Sequence, residues 1–237
     1  MDFILLGGGC FGSFYARQLL RGADRLGVGT IHVVDKDPEC RVRSDFGDAA
    51  RIAYHIQDWK DFLIPYFETC IARREAGETV TDQYVPPTFA PHILMELFIE
   101  EAAREIPSLR FERRPFEAEV GTPVDMLLPA GTRALSFATW TCPASCIEPP
   151  TCPHTRGPKD WDIKTHLTKT AKAGSLHIFQ CRHYAMGVGT IPVSAIVEEF
   201  LKFRDVVRAP GTHRAAMASV SSCHGLIGLV EVSHAPV

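Results

Sequence analysis

An α/β fold built on a doubly wound, mostly parallel sheet is what this sequence predicts, and three observations carry it. The first is an apolar run, Phe3 to Leu6, that breaks into Gly7, Gly9 and Gly12 ahead of a helical stretch. The second is a further apolar run, Thr30 to Val34, that closes on an acid, Asp35. The third is the alternation of strand-like and helix-like segments that continues as far as Phe116. Such alternation favours parallel strands joined by crossover helices.

Taken in order, Phe3 to Leu6 reads as a strand, and Ser13 to Leu20 as a helix with Phe14, Ala16, Leu19 and Leu20 as its apolar contacts. Between them each glycine has a task. Gly7 permits a sharp turn, Gly9 lets the backbone approach a pyrophosphate, and Gly12 lets the helix pack closely on the sheet. Amides at the helix start, at Cys10, Phe11 and Gly12, would meet the phosphates with the help of the helix dipole. Asp35 follows the second strand, where a carboxylate can accept both ribose hydroxyls. That favours NAD, while Lys36, Arg41 and Arg43 keep NADP open. Strand, turn, helix, strand and acid in this order are the fingerprint of a Rossmann dinucleotide-binding domain. The same glycines also fit an adenine nucleotide such as AMP or ATP, or a scaffold that has lost its ligand.

Further strands are expected at Arg51 to His55, Thr79 to Val85 and Leu109 to Phe116, with helices at Lys60 to Glu75 and Phe89 to Glu105. Ligands of such sheets lie at the carboxyl ends of the strands. The dinucleotide domain is expected to span residues 1–117. Residues 118–237 would form a C-terminal α/β part, either continuous with the first sheet or separate from it.

The stretch HVVDKDPE, from His32 to Glu39, together with the glycine turn, resembles the NAD-binding regulatory domains attached to potassium channels and transporters. That resemblance implies that Asp35 holds the adenosine ribose. It is confined to the N-terminal part of the chain.

In the second half, Val124 to Leu128 and Ala134 to Trp140 flank a Pro-Ala-Gly-Thr turn and read as a hairpin. There follows TWTCPASCIEPPTCPHTRGPKDW, Thr139 to Trp161, without helical or strand period. Thiolates on a proline-stiffened loop can converge on one point, and soft sulfur ligands suit zinc or an iron–sulfur cluster. Zinc would take Cys142, Cys146, Cys152 and His154. A cluster would take the three cysteines with an outside ligand such as Cys181. A loop of buried thiols without metal, or a redox cysteine, are the other readings.

Ser175 to Gln180 reads as a strand, CRHYAMGVGTIP as a glycine-containing connection, and Val193 to Val207 as a helix. Ala215 to Ser222 and Leu226 to Val232 are the last strands. Cys181 with His183, and Cys223 with His224, place a thiol beside an imidazole at strand ends, and His183 and His224 are the candidate acid and base groups.

With 46% apolar and 22% charged residues the composition is ordinary for a globular chain, and a net charge of −3 provides no broad positive field for nucleic acid. No apolar run is long enough to span a membrane, and the apolar start lacks the features of a signal peptide, so a cytoplasmic protein is expected. In a reducing compartment, clustered thiols point to metal or catalysis before disulfides. The function expected is an NAD(P)-binding, oxidoreductase-like protein acting on a small molecule, with a cysteine-ligated metal near the cofactor crevice. The alternative is a nucleotide-responsive regulatory or metal-handling protein without redox turnover.

Overall fold

The computed structural model describes residues 1–87, 92–143, 146–185 and 187–235. It is a mixed α/β chain that divides into two compact units, one of residues 1–91 and 182–197, the other of residues 92–181 and 198–237.

The first unit begins with β1 (Phe3–Leu6), α1 (Cys10–Arg21), a short α2 (Ala23–Leu26) and β2 (Ile31–Asp35). It continues through α3 (Arg41–Phe46), β3 (Ile52–Ile56), α4 (Trp59–Glu75) and β4 (Gln83–Val85). Strands β3, β2, β1 and β4 lie side by side in that order, all parallel, so each helical crossover returns the chain to the same edge-to-edge direction. Apolar residues face both sides of β1, all four of which are buried, as expected of a strand covered on two faces. Its core joins Phe3, Leu5, Ala16, Leu19, Ile31 and Val33. Burying such side chains contributes about 1.5–3 kcal/mol each.

The second unit begins with α5 (Ile93–Glu105), β5 (Leu109–Arg114), β6 (Val124–Leu127) and β7 (Arg133–Ser136), followed by α6 (Ile163–Thr170) and β8 (Ser175–Gln180). The chain then supplies β9 (Arg182–Ala185) and β10 (Val188–Pro192) to the first sheet, and goes on through α7 (Val193–Arg208), β11 (Thr212–Val220) and β12 (His224–His234). The expected start of the α5 helix, at Phe89, lies outside the described residues.

Two expectations need correction. Leu109–Arg114 is not a fifth parallel strand. It pairs antiparallel with β12, from Leu229↔Arg114 to His234↔Leu109. The second sheet runs β6, β7, β12, β11, β8, and only the β11–β8 pairing in it is parallel. The eleven-residue β12 pairs along one edge with β11, over Gly225 to Ser233, and divides the other between β7 and β5. The second correction concerns CRHYAMGVGTIP. It forms the β9–β10 hairpin, and β10 adds antiparallel to β4. The parallel part of the six-stranded first sheet therefore extends only over four strands. An apolar strand pattern specifies burial and not direction, so neither pairing could be read from period alone.

The expected hairpin of β6 and β7 is present. Arg133 on β7 is 6% exposed. Its guanidinium donates to Asp125 Oδ1 at 2.7 Å, to the Glu117 carbonyl at 2.8 Å and to the Phe116 carbonyl at 3.1 Å. Asp125 in turn accepts the Val120 and Gly121 amides at 2.6 and 2.8 Å. On α5, Phe98 meets Phe179, Phe200 and Phe203 edge-on or tilted at 5.1–5.8 Å.

Candidate functional site

In the first unit, β1 brings the chain to Gly7, whose φ is +93°. Only glycine occupies that region without strain. The Gly7 amide donates to Val34 O at 2.8 Å, which ties the turn to β2. A Cβ on Gly12 would stand 2.1 Å from the Gly7 carbonyl oxygen, so no side chain fits between α1 and the turn. Gly9 differs from both. It has φ −72°, and a Cβ there would meet nothing within 4 Å.

Gly9 is also the N-cap of α1 and offers no side chain to the first-turn amides, which no helix can satisfy internally. Those amides and the positive end of the helix dipole border a cavity of about 460 Å³. Leu5, Leu6, Phe11, Tyr15, Val85 and Pro86 supply most of its apolar wall. The cavity lies at the carboxyl ends of β1 and β4. From β1 the chain leaves toward β2 on one side, while β4 stands on the other, and ligands of open α/β sheets bind at such a switch point. Its volume falls in the range of about 300–1,000 Å³ usual for small-molecule sites.

On the other flank of the turn, Asp35 Oδ2 accepts the Gly8 amide at 2.6 Å and Oδ1 accepts the Asp37 amide at 2.9 Å. Each carboxylate oxygen retains a further lone pair. The Cys40 thiol packs over Gly8, and the Val42 amide donates to the Gly8 carbonyl at 2.9 Å, so the start of α3 clamps the turn. Ser13 in α1 hydrogen-bonds Asp45 of α3. Lys36 pairs with Asp58 at 2.6 Å, and that hydrogen bond raises its pKa. Gly7, Gly9, Cys10, Phe11 and Gly12 thus wall one cavity, with Asp35 behind the turn and Lys36 engaged by α4.

The candidate acid and base residues fall in different units. His183 is on β9 of the first. His224 begins β12 of the second, where its Nδ1 lies 2.9 Å from Ser136 Oγ and burial lowers its pKa.

The cysteine-rich loop belongs to the second unit. The Cys146 amide donates to Pro143 O at 2.9 Å, closing one turn. A second, tighter turn follows. The Cys152 amide donates to Gly157 O at 2.9 Å, and the Arg156 amide returns to Cys152 O at 2.8 Å with Arg156 at φ +58°. Within it the amides of Thr155 and His154 face the Cys152 sulfur and hold that thiol below its ordinary pKa. Burial, together with the neighbouring Cys146 and Cys152, pushes the Cys142 thiol up.

All three, with His154, wall a cavity of about 20 Å³. Sequence reasoning missed two of its members. Cys223, in the turn between β11 and β12 and paired in the sequence only with His224, is brought there by Glu148. The Glu148 carboxylate accepts Ser221 Oγ at 2.6 Å and the amides of Ser222 and Cys223 at 3.0 and 3.3 Å. These contacts and Lys159 keep the buried carboxylate's pKa below its usual value despite desolvation. The β11–β12 turn is thereby fastened to the loop. Burial pushes the Cys223 thiol up to about 11 and the Cys181 thiol up to about 12. Cys181, offered as an outside ligand, is not part of this wall among the described residues. No group of three or more His, Cys, Asp or Glu side chains among the described residues is already arranged to hold a metal ion. No helix among them is long and apolar enough to cross a membrane.

Residues 92–233 match the family model AF_1314_C, whose description reads "Uncharacterized protein, C-terminal domain". No curated protein and no solved structure matches the chain.

Proposed function

The chain belongs to the AF_1314_C family, and for it we propose that the first unit is a Rossmann-type binding domain for NAD, in the service of oxidoreduction of a small molecule. One observation carries the reading: an apolar cavity of ligand size at the β1–β4 switch point, bordered by the open N-terminus of α1. The residues fit such a group. Open space beside Gly9 admits a pyrophosphate against the backbone, and the amides of Cys10, Phe11 and Gly12 supply donors for it. The spare lone pairs of Asp35 suit ribose hydroxyls, and its charge disfavours a 2′-phosphate.

When bound, a nicotinamide dinucleotide supplies hydride transfer. The chain's own residues have simpler tasks. Leu5, Leu6, Val85 and Pro86 exclude water, Phe11 and Tyr15 offer ring faces or edges to a flat group, and Cys10 and Tyr15 carry the ionisable side chains of the wall.

Titration of the full chain with NADH, NADPH and ATP, followed by nicotinamide fluorescence and calorimetry, tests the reading. NADH is expected to bind at least about tenfold more tightly than NADPH, a difference of about 1.4 kcal/mol. Failure of both dinucleotides to bind at about 1 mM, a level that detects interactions as weak as about −4 kcal/mol, would end it. Tight NADH binding without oxidation by any redox acceptor would instead favour the nucleotide-responsive regulatory reading.

A further inference from the structure

We propose that the second unit holds one zinc ion on four thiolates, those of Cys142, Cys146, Cys152 and Cys223, as a closed structural site. This goes beyond the nucleotide reading and does not rest on it.

Four cysteines from three separate turns share the wall of one small cavity. Its volume of about 20 Å³ is room for a single water or ion, since about 10–15 Å³ holds one water. That size matches one ion better than a four-iron cluster among the sulfur-rich options. The surroundings are those a metal thiolate needs. The amides of Thr155 and His154 face the Cys152 sulfur, and Trp161 Nε1 donates to Cys223 Sγ at 3.3 Å. The Trp140 indole nitrogen is buried and makes no hydrogen bond of good geometry to a described residue, yet it faces the Cys142 thiol closely enough to favour its thiolate. A buried N–H without an acceptor is costly, and a deprotonated Cys142 would provide one. Zinc with four thiolates carries a charge of −2, and Lys159, which lines the cavity and whose ammonium donates to the Glu148 carbonyl at 3.0 Å, offsets part of it.

The fourth ligand is Cys223 and not His154. The His154 ring lies flat on Trp140, with centroids 4.5 Å apart and planes 7° from parallel, while Cys223 is delivered to the wall by the Glu148 contacts. Glu148 is a positioning residue, since it acts through the β11–β12 turn. Among the described residues the thiols are not yet grouped at ligating distances. Binding draws them in and releases their protons at neutral pH. With all four positions on protein, no place is left for water or substrate, which is the mark of a structural site.

The test uses the full chain, purified anaerobically from cells supplied with zinc and iron. One zinc per chain is expected, with Cys10→Ser as a control that keeps it. Cys142→Ser, Cys146→Ser, Cys152→Ser and Cys223→Ser should each release zinc to a chelator at least about tenfold more readily, while His154→Ala should not. Because a cysteine variant can fail to fold, the wild-type chain is also stripped and titrated with cobalt, whose thiolate charge-transfer intensity counts sulfur ligands. Four-thiolate intensity supports the site. Absence of stoichiometric metal, a cluster-like brown colour, intensity for fewer than four thiolates, or loss of zinc from His154→Ala with retention in Cys223→Ser overturns it.

Discussion

Gly9→Ala and Gly12→Ala separate binding from folding at the β1–α1 turn, because the two glycines meet opposite surroundings. At Gly9 the backbone is extended, with φ −72° and ψ −157°, and an added methyl touches nothing within 4 Å. Replacing an N-cap glycine by alanine costs about 0.5 kcal/mol. The stiffer unfolded chain returns about 0.4–1 kcal/mol, so net stability should change by less than about 0.5 kcal/mol. At Gly12 the methyl would stand 2.1 Å from the Gly7 oxygen and 3.1 Å from its carbonyl carbon. Both are backbone atoms, so α1 must move. Overpacking of this kind costs about 1–3 kcal/mol or more, against a helix-propensity gain of about 1 kcal/mol. The assay is urea denaturation of each variant paired with NADH titration. Gly9→Ala should keep the wild-type midpoint and bind NADH at least about tenfold more weakly, equivalent to about 1.4 kcal/mol. Gly12→Ala should lose stability by at least about 1 kcal/mol. Unchanged NADH affinity in Gly9→Ala would refute the pyrophosphate assignment, and a Gly12→Ala chain as stable as wild type would refute the packing argument.

Two further outcomes follow from the buried polar groups. Arg133→Met removes the partner of Asp125, whose side chain is 10% exposed. Breaking such a pair should destabilise the second unit by about 3–5 kcal/mol, measured by urea denaturation, and a loss below about 1 kcal/mol would mean that the pair is effectively solvated. For pH, burial lowers the pKa of His55, His92 and His224 below 6.5 in the folded chain. The unfolded chain therefore takes up protons first as pH falls through about 6.5, and stability declines from there until the folded histidines titrate. His55, whose Nε2 lies 3.0 Å from His32 Nδ1 and whose ring packs 4.5 Å from Phe62, is the cleanest probe. His55→Phe should flatten part of the decline between about pH 7 and 5, and melting points that hold level or rise over that interval in the wild-type chain would contradict the sign.

Much of the first unit was legible because its signals are local. The run Phe3 to Leu6, the glycine spacing and the acid at Asp35 each constrain a few consecutive residues, and the β1–α1–β2 segment forms with close to the expected boundaries. The same holds for the β6–β7 hairpin, where turn residues join two apolar runs. Among the site residues, Cys142, Cys146 and Cys152 could be grouped because they are neighbours in sequence, whereas Cys223 could not.

The sequence by itself therefore determined where the long helices and most of the strands form, which turn carries the glycines, and that three thiols sit on one stiff loop, because period, turn chemistry and proline act over short range. Tertiary structure alone decided that β5 pairs antiparallel with β12, that β10 joins β4, and that the open face of Gly9 borders a cavity while Gly12 has no room. It also decided that Glu148 fastens Cys223 to the loop. Strand partners and cavity walls come from residues distant in the chain, and burial patterns record that a side is covered without recording by what.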